Sequence, residues 1–284
     1  IKKIIWPKLF KLKITASDVN KLRQSTGAGM MDCKKALEES NGDFEKAVDI
    51  LRKKGQKVAA NRADRDSSEG AVIAKVSSDN SFGIIISLNC ETDFVAKNQD
   101  YIDLTNQLAD HALNYKDLDS FLNSDFNNMK VSDKLLEQTG VIGEKIELGG
   151  FKYISATFVG SYIHPGNKIA ALTGLSEKFE KSAEVAKNIS MQIAAMNPIA
   201  LNEDGVSQEI IKKEIEIAKD QLRQEGKPEE MLENIAKGKM KKFFKENTLL
   251  NQQYIKDSKQ SITDYINSEH KGLDVKDFAR VSLG

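Results

Sequence analysis

The stretch Thr26-Gly27-Ala28-Gly29-Met30-Met31-Asp32-Cys33-Lys34-Lys35-Ala36-Leu37 decides how the N-terminal part of this chain is read. A glycine-rich turn is followed at once by two large, flexible apolar side chains and then by a helical pattern. Adjacent residues at a turn point in different directions, so Met30 and Met31 do not easily face one core. Two readings are open. In one, both methionines fill the core of a small bundle. In the other, at least one thioether stands on the surface, where soft, adaptable side chains suit a protein partner.

Outward from this stretch, residues 14 to about 56 read as three short helices. Ser17 caps the first, over Asp18 to Ser25, and Thr26 to Gly29 make the turn. Met31 or Asp32 opens the second, which ends at Asn41-Gly42, a helix-stop signal. Asp43 caps the third, which places Phe44, Ala47, Val48 and Leu51 on one face and closes at Gly55. Such a bundle, about 40 residues long, is marginal alone. The polar run Asn61 to Glu69 reads as a linker. Residues 1–13 are basic and apolar, lack a small-residue cleavage site, and read as an extension outside the fold. A membrane-surface helix is the alternative there, interrupted by Pro7.

Beyond the linker the period changes to that of strands. Ala71 to Val76 and Phe82 to Cys90 flank a turn at Ser78-Asp79-Asn80-Ser81 and read as a hairpin. One helix is expected from near Thr92 or Asn98 to Leu113, and residues 114–150 are less clearly patterned. A second hairpin pairs a strand over Tyr153 to Ile163 with Lys168 to Thr173 around His164-Pro165-Gly166-Asn167. A helix from Glu177 to Met196, capped by Ser176, follows and stops at Asn197-Pro198. A hairpin followed by a helix thus occurs twice, which suggests a duplicated α+β unit. Val206 to Lys245, broken at Gly226-Lys227-Pro228, reads as an antiparallel helical hairpin. It is either an arm packed on the body or a coiled coil for self-association or partner contact. A helix over Ser258 to Glu269 and a strand over Val275 to Leu283 end the pattern.

The chain has 284 residues, enough for two or three domains. Its 42 basic and 42 acidic residues cancel, which argues against direct nucleic-acid binding, where a basic excess neutralises phosphates. No run approaches the roughly 20 apolar residues of a membrane-spanning helix. Cys33 and Cys90 lie far apart within apolar patterns and read as buried, reduced thiols in a cytoplasmic protein.

Chemistry-bearing constellations are few. From Gly160 to Gly166-Asn167-Lys168 the spacing is one residue too long for a phosphate loop, and no Ser or Thr follows the lysine. His111, His164 and His270 are isolated from one another and from either cysteine at zinc spacing, and no nucleophile elbow occurs. No metal, cofactor or enzymatic chemistry is therefore expected. Cys90-Glu91-Thr92-Asp93-Phe94-Val95-Ala96-Lys97 repeats the theme of an apolar tip. Thr92 and Asp93 are good helix caps, so Phe94 either packs in its own core behind a cap or leaves the fold to wedge into a partner.

Three segments together, Thr26 to Leu37, Asn89 to Lys97 and Gly238-Lys239-Met240-Lys241-Lys242-Phe243, make the chain resemble the bacterial translation elongation factor Ts family from about Ile14 to Gly284. The resemblance implies an α+β fold. It has a three-helix, ubiquitin-associated-like N-terminal domain (14–56), a linker (57–69) and a core of two similar α+β subdomains. Those are 70–152, and 153–197 with 248–284; a helical coiled-coil hairpin is inserted at 198–247. The implied function is guanine-nucleotide exchange on the GTPase elongation factor Tu, with no covalent chemistry of its own. Met30 and Met31, with Leu22 and Lys34 nearby, match positions where the N-terminal domain meets the GTPase domain. Asp93 and Phe94, flanked by Thr92 and Val95, match a pair inserted between helices of that domain near its magnesium and phosphate site. His164 matches a position contacting the GTPase's third domain. Gln253-Tyr254-Ile255 departs from a family pattern that is more apolar. The competing class is a helical protein-interaction module built on the N-terminal bundle; a third class is an enzyme that uses a carboxylate pair, which would turn over substrate without a partner GTPase.

Overall fold

Side-chain caps and left-handed turns divide the chain into its elements. The computed structural model describes residues 14–283, so the expectation for residues 1–13 lies outside the described residues. In order come α1 (Ala16–Thr26), α2 (Met30–Glu39), α3 (Phe44–Asn61), β1 (Glu69–Val76), β2 (Phe82–Cys90), α4 (Asp93–Ala96), α5 (Gln99–Ala112) and α6 (Leu118–Leu122). Then follow β3 (Asp125–Phe126), β4 (Met129–Lys130), α7 (Val131–Ile142), β5 (Glu147–Ser155), β6 (Phe158–Ile163), β7 (Ile169–Leu175) and α8 (Ser182–Met196). The last are α9 (Gln208–Gln224), α10 (Glu229–Asn247), β8 (Gln253–Tyr254), β9 (Asp257–Ser261), α11 (Ile262–Glu269) and β10 (Val275–Ser282). The chain is a mixed α+β protein. By internal contacts it forms two units. One is the chain up to Gly70 with Asn89–Asn98 and Asp119–Glu147; the other is Ala71–Leu88, Gln99–Leu118 and the chain from Leu148.

In the first unit, α1 starts earlier than expected. Thr15, not Ser17, is its cap: the Thr15 hydroxyl accepts from the Asp18 N–H at 3.2 Å, and the Asp18 carboxylate accepts from the Thr15 N–H at 3.0 Å. The second helix begins at Met30 itself and runs to Glu39, and the chain turns away just beyond it at left-handed Asn41 (φ 52°) and Gly42 (φ 84°). Asp43 caps α3 as expected, accepting from Lys46 N–H at 3.1 Å. Val19, Leu22, Cys33, Ala36, Leu37 and Ala47 form the bundle core, with Val48, Leu51 and Val141 packed against it.

Gly55 does not close the third helix, which runs on to Asn61. The missing side chain serves a helix crossing instead: a Cβ placed on Gly140 of α7 would lie 2.5 Å from the Gly55 Cα. Two glycines let the α3 and α7 backbones touch, and the Arg52–Asp133 ion pair ties the same helices. Gly140→Ala forces that crossing apart. Overpacking of this kind costs about 1–3 kcal/mol, read as a lowered thermal midpoint by circular dichroism; an unchanged midpoint would mean that the helices do not meet at these glycines. The polar run after α3 is held at several points. Asn89 Nδ2 donates to Ser67 C=O at 2.9 Å, Lys145 Nζ donates to Arg65 C=O at 3.3 Å, and the Ser67 hydroxyl donates to Glu147.

The second unit carries two three-stranded sheets, ordered β1-β2-β5 and β10-β7-β6. Asp79 in the β1–β2 turn accepts from the Ser77 hydroxyl and from the N–H and hydroxyl of Ser81, which hold its carboxyl at about 2. The strand expected over 153–163 is two strands. Its first part, β5, joins the first sheet; Ala156 and Thr157 break the run; β6 pairs antiparallel with β7, Phe158 opposite Leu175 through Ile163 opposite Ala170. Strand β10 pairs antiparallel on the other side of β7. Val72, Ile85 and Ile154 of one sheet share a core with Val159, Leu172 and Ala279 of the other. Behind the second sheet lie Val185, Ile189 and Ile193 of α8 and Ile262 and Ile266 of α11.

Of the two starts expected for the helix that ends near Leu113, the one near Asn98 holds: α5 runs from Gln99 to Ala112, separated from α4 at Lys97-Asn98. Two other helix expectations are corrected. Helix α8 starts at Ser182 because Ser176 is otherwise engaged: its N–H donates to the Asp274 carbonyl at 2.9 Å and its hydroxyl accepts from the Asp274 N–H at 3.0 Å. Helix α11 starts at Ile262 behind a Ser261–Asp264 capping box, because residues 257–261 are spent on β9. The α9–α10 hairpin turns at left-handed Gly226 and buries Ala218, Leu222, Leu232, Ala236 and Met240.

Candidate partner-binding site

The first unit presents apolar side chains from two short stretches. Helix α4 follows β2 after only Glu91 and Thr92. It is one turn long and buries none of its side chains. Phe94 is 84% exposed, which rules out the reading in which it fills its own core. Asp93 is not a bare charge: Lys97, one turn on, donates to it at 2.6 Å, and this bond and the carboxylate's field hold the lysine above its usual range.

What fixes this turn is a pair of carboxylates. Thr92 precedes α4 in extended conformation but does not cap it with its side chain. Its hydroxyl donates instead to Glu144 Oε1 at 2.7 Å, while Glu144 Oε2 accepts from the N–H groups of Glu91 and Thr92, each at 3.1 Å. Glu91 reciprocates. It accepts from the Lys145 N–H at 2.6 Å, and one guanidinium nitrogen of Arg62 reaches both its oxygens at 2.7 and 2.8 Å. Burial pushes the Glu91 carboxyl up, but the bonds from Lys145 and Arg62 and the Arg62 charge outweigh it and hold the group below the usual glutamate range. Glu144 is in place because left-handed Gly143 (φ 80°) ends α7 immediately before it.

The second stretch is the first turn of α2. Met30 is 57% and Met31 64% exposed. Both stand outside the bundle core, so the core-filling reading fails for both. Lys34 is exposed one turn on, 3.9 Å from Glu38, and Asp32 is paired with Lys54 of α3. Leu22 is 0% exposed. It supports the bundle from within and offers no surface to a partner in this conformation. Cys33 is buried beneath the same turn, and burial pushes its thiol up; Cys90 is buried and donates to the Thr92 carbonyl at 3.2 Å.

The structure thus places Leu22, Met30, Met31, Lys34 and Thr92 to Val95 in one unit. His164 belongs to the other. It sits exposed in the β6–β7 turn with its Nδ1 3.0 Å from the Tyr162 hydroxyl and its N–H donating to Ile169 C=O at 2.8 Å. Sequence reasoning missed Arg62, Glu91 and Glu144. The Gly143 stop signal is the one local clue to Glu144, and it says nothing of what the carboxylate reaches.

No helix among the described residues is long and apolar enough to cross a membrane. The family model described as Elongation factor TS matches residues 91–284. The chain is 65% identical over 272 residues to elongation factor Ts of Christiangramia forsetii, covering 96% of this chain and 99% of the relative. It is 60% identical over 271 residues to elongation factor Ts of Flavobacterium psychrophilum, covering 95% and 99%. To elongation factor Ts of Amoebophilus asiaticus it is 48% identical over 276 residues, covering 96% and 100%.

Proposed function

The chain belongs to the elongation factor Ts family, and from that premise we propose that it is a guanine-nucleotide exchange factor that binds elongation factor Tu and promotes GDP release. The observation that carries this reading is Phe94, a large apolar ring 84% exposed on a turn clasped by two carboxylates. An exposed aromatic on a fixed turn is suited to entering a cleft in a partner.

Linkage supplies the mechanism. A factor that binds the nucleotide-free GTPase more tightly than the GDP-bound form weakens GDP binding by the same ratio. Burying the Phe94 ring in a partner cleft contributes about 1.5–3 kcal/mol, and about 1.4 kcal/mol is tenfold in an equilibrium. Asp93, beside the ring and near the partner's magnesium and phosphate site, adds repulsion or diverts a hydrogen bond there. Met30, Met31 and Lys34 dock the three-helix segment on the same GTPase domain, and His164 contacts its third domain. The α9–α10 hairpin is a coiled-coil insertion in the second of two α+β subdomains. No nucleic acid is contacted directly and no bond in this chain is made or broken.

Release of a fluorescent GDP from elongation factor Tu tests this reading. Substoichiometric amounts of this protein accelerate release and turn over. A release rate independent of added protein would rule the exchange function out.

A further inference from the structure

We propose that Glu144 is the positioning residue for Phe94: its carboxylate, reciprocated by that of Glu91, holds the α4 turn in the orientation from which the ring enters a partner. This rests on the exchange reading above.

A four-residue helix has too few hydrogen bonds to hold itself, since the first turn of a helix is its costliest part. None of the α4 side chains is fully buried, and Asp93, Val95 and Ala96 are half-buried beside the exposed ring. Bonds from the residues just before it to other elements therefore contribute to its orientation. The Thr92 side chain, best placed to cap it, is engaged elsewhere, and the donor groups just before the helix converge on Glu144. One carboxylate accepts two backbone N–H groups and a hydroxyl, all charge-assisted bonds. The bond in the opposite direction, Lys145 N–H to Glu91, closes the clasp, and Arg62 pairs with the Glu91 carboxylate.

The clasp is built on a frame. Glu144 follows the left-handed end of α7, and α7 touches α3 at the Gly55–Gly140 crossing. The α3 helix also carries Lys54, paired with Asp32 of the methionine turn. The ring's base is thus tied to packed helices rather than to a free loop, the arrangement that keeps a functional group within its productive geometry. Without the clasp, only the fraction of molecules with α4 correctly placed is competent. The loss falls on the maximal rate of stimulated release more than on docking, which the methionine turn supports.

Two measurements test this. On the protein alone, Glu144→Ala accelerates amide hydrogen exchange over Thr92 to Lys97, and Glu144→Gln, whose amide oxygen still accepts, restores most of the protection; unchanged protection in Glu144→Ala would overturn the clasp. With elongation factor Tu, Glu144→Ala lowers the maximal stimulated GDP-release rate about tenfold, the scale of one hydrogen bond's net contribution, and half-saturation moves less than about threefold. In a Phe94→Ala background the same substitution has no further effect, because its whole action runs through the ring. Additive losses, or a Glu144→Ala rate equal to that of the unaltered protein, would overturn the positioning role. If the unaltered protein gives no acceleration while exchange over 92–97 still responds to Glu144→Ala, the clasp stands and the exchange reading, with the role it lends the clasp, falls.

Discussion

Phe94→Ala slows the maximal rate of stimulated GDP release by about ten- to hundredfold, the equivalent of the 1.5–3 kcal/mol that burial of a phenyl ring contributes. The size follows from exposure. At 84% exposed, the ring makes almost no contacts in the free protein that its removal would sacrifice. Nearly all of its burial energy is realised only against a partner, where differential binding is what speeds nucleotide release. For the same reason the free protein's thermal midpoint stays put, as surface substitutions away from caps and cores shift stability by about 0.5 kcal/mol or less. The check is a pair of measurements on one variant: stopped-flow release at saturating protein, and thermal unfolding monitored by circular dichroism. A slow variant with an intact midpoint is the predicted pattern. A fast variant removes the ring from the mechanism, and a destabilised one returns it to the core.

Changing Met30 and Met31 together to Ala has the second largest effect, and it falls on affinity. Both thioethers are more than half exposed at the start of α2, so the free bundle loses little. Each side chain gives up rotamer freedom on binding, about 1.5–2 kcal/mol for a residue as flexible as methionine, which offsets much of its burial. The pair is therefore expected to weaken the complex with nucleotide-free elongation factor Tu by about tenfold. The change appears in the dissociation rate, because neither residue carries charge to steer the encounter. Surface plasmon resonance separates the two rates. Unaltered dissociation would place the methionines outside the contact.

Much of the local structure was readable because it is encoded locally. Asn41-Gly42, Asp43, Asn197-Pro198 and Gly226-Lys227-Pro228 end or begin helices where the sequence says they should, since caps and left-handed turns involve neighbours only. The failures share a non-local cause. Gly55 looks like a helix stop until Gly140 of another helix is seen against it. The apolar run 153–163 looks like one strand, because nothing in its alternation marks Ala156-Thr157 as the place where the chain leaves one sheet for another. The same division holds at the site. Adjacency at a turn was enough to suggest that Met30 or Met31 is exposed, and both are. Phe94 stayed ambiguous, since a residue after a cap is as often buried. Glu144 was invisible, because its hydrogen-bonding partners lie 52 and 53 residues earlier in the chain.

The ratio of two affinities tests the central claim most directly: that of this protein for nucleotide-free elongation factor Tu and that for the GDP-bound form, both by calorimetry in one buffer. The account predicts that the empty form is bound more tightly by a factor equal to the loss in GDP affinity when this protein is bound, and that Phe94→Ala shrinks that factor. Equal affinities for the two forms would contradict it, however tight the binding.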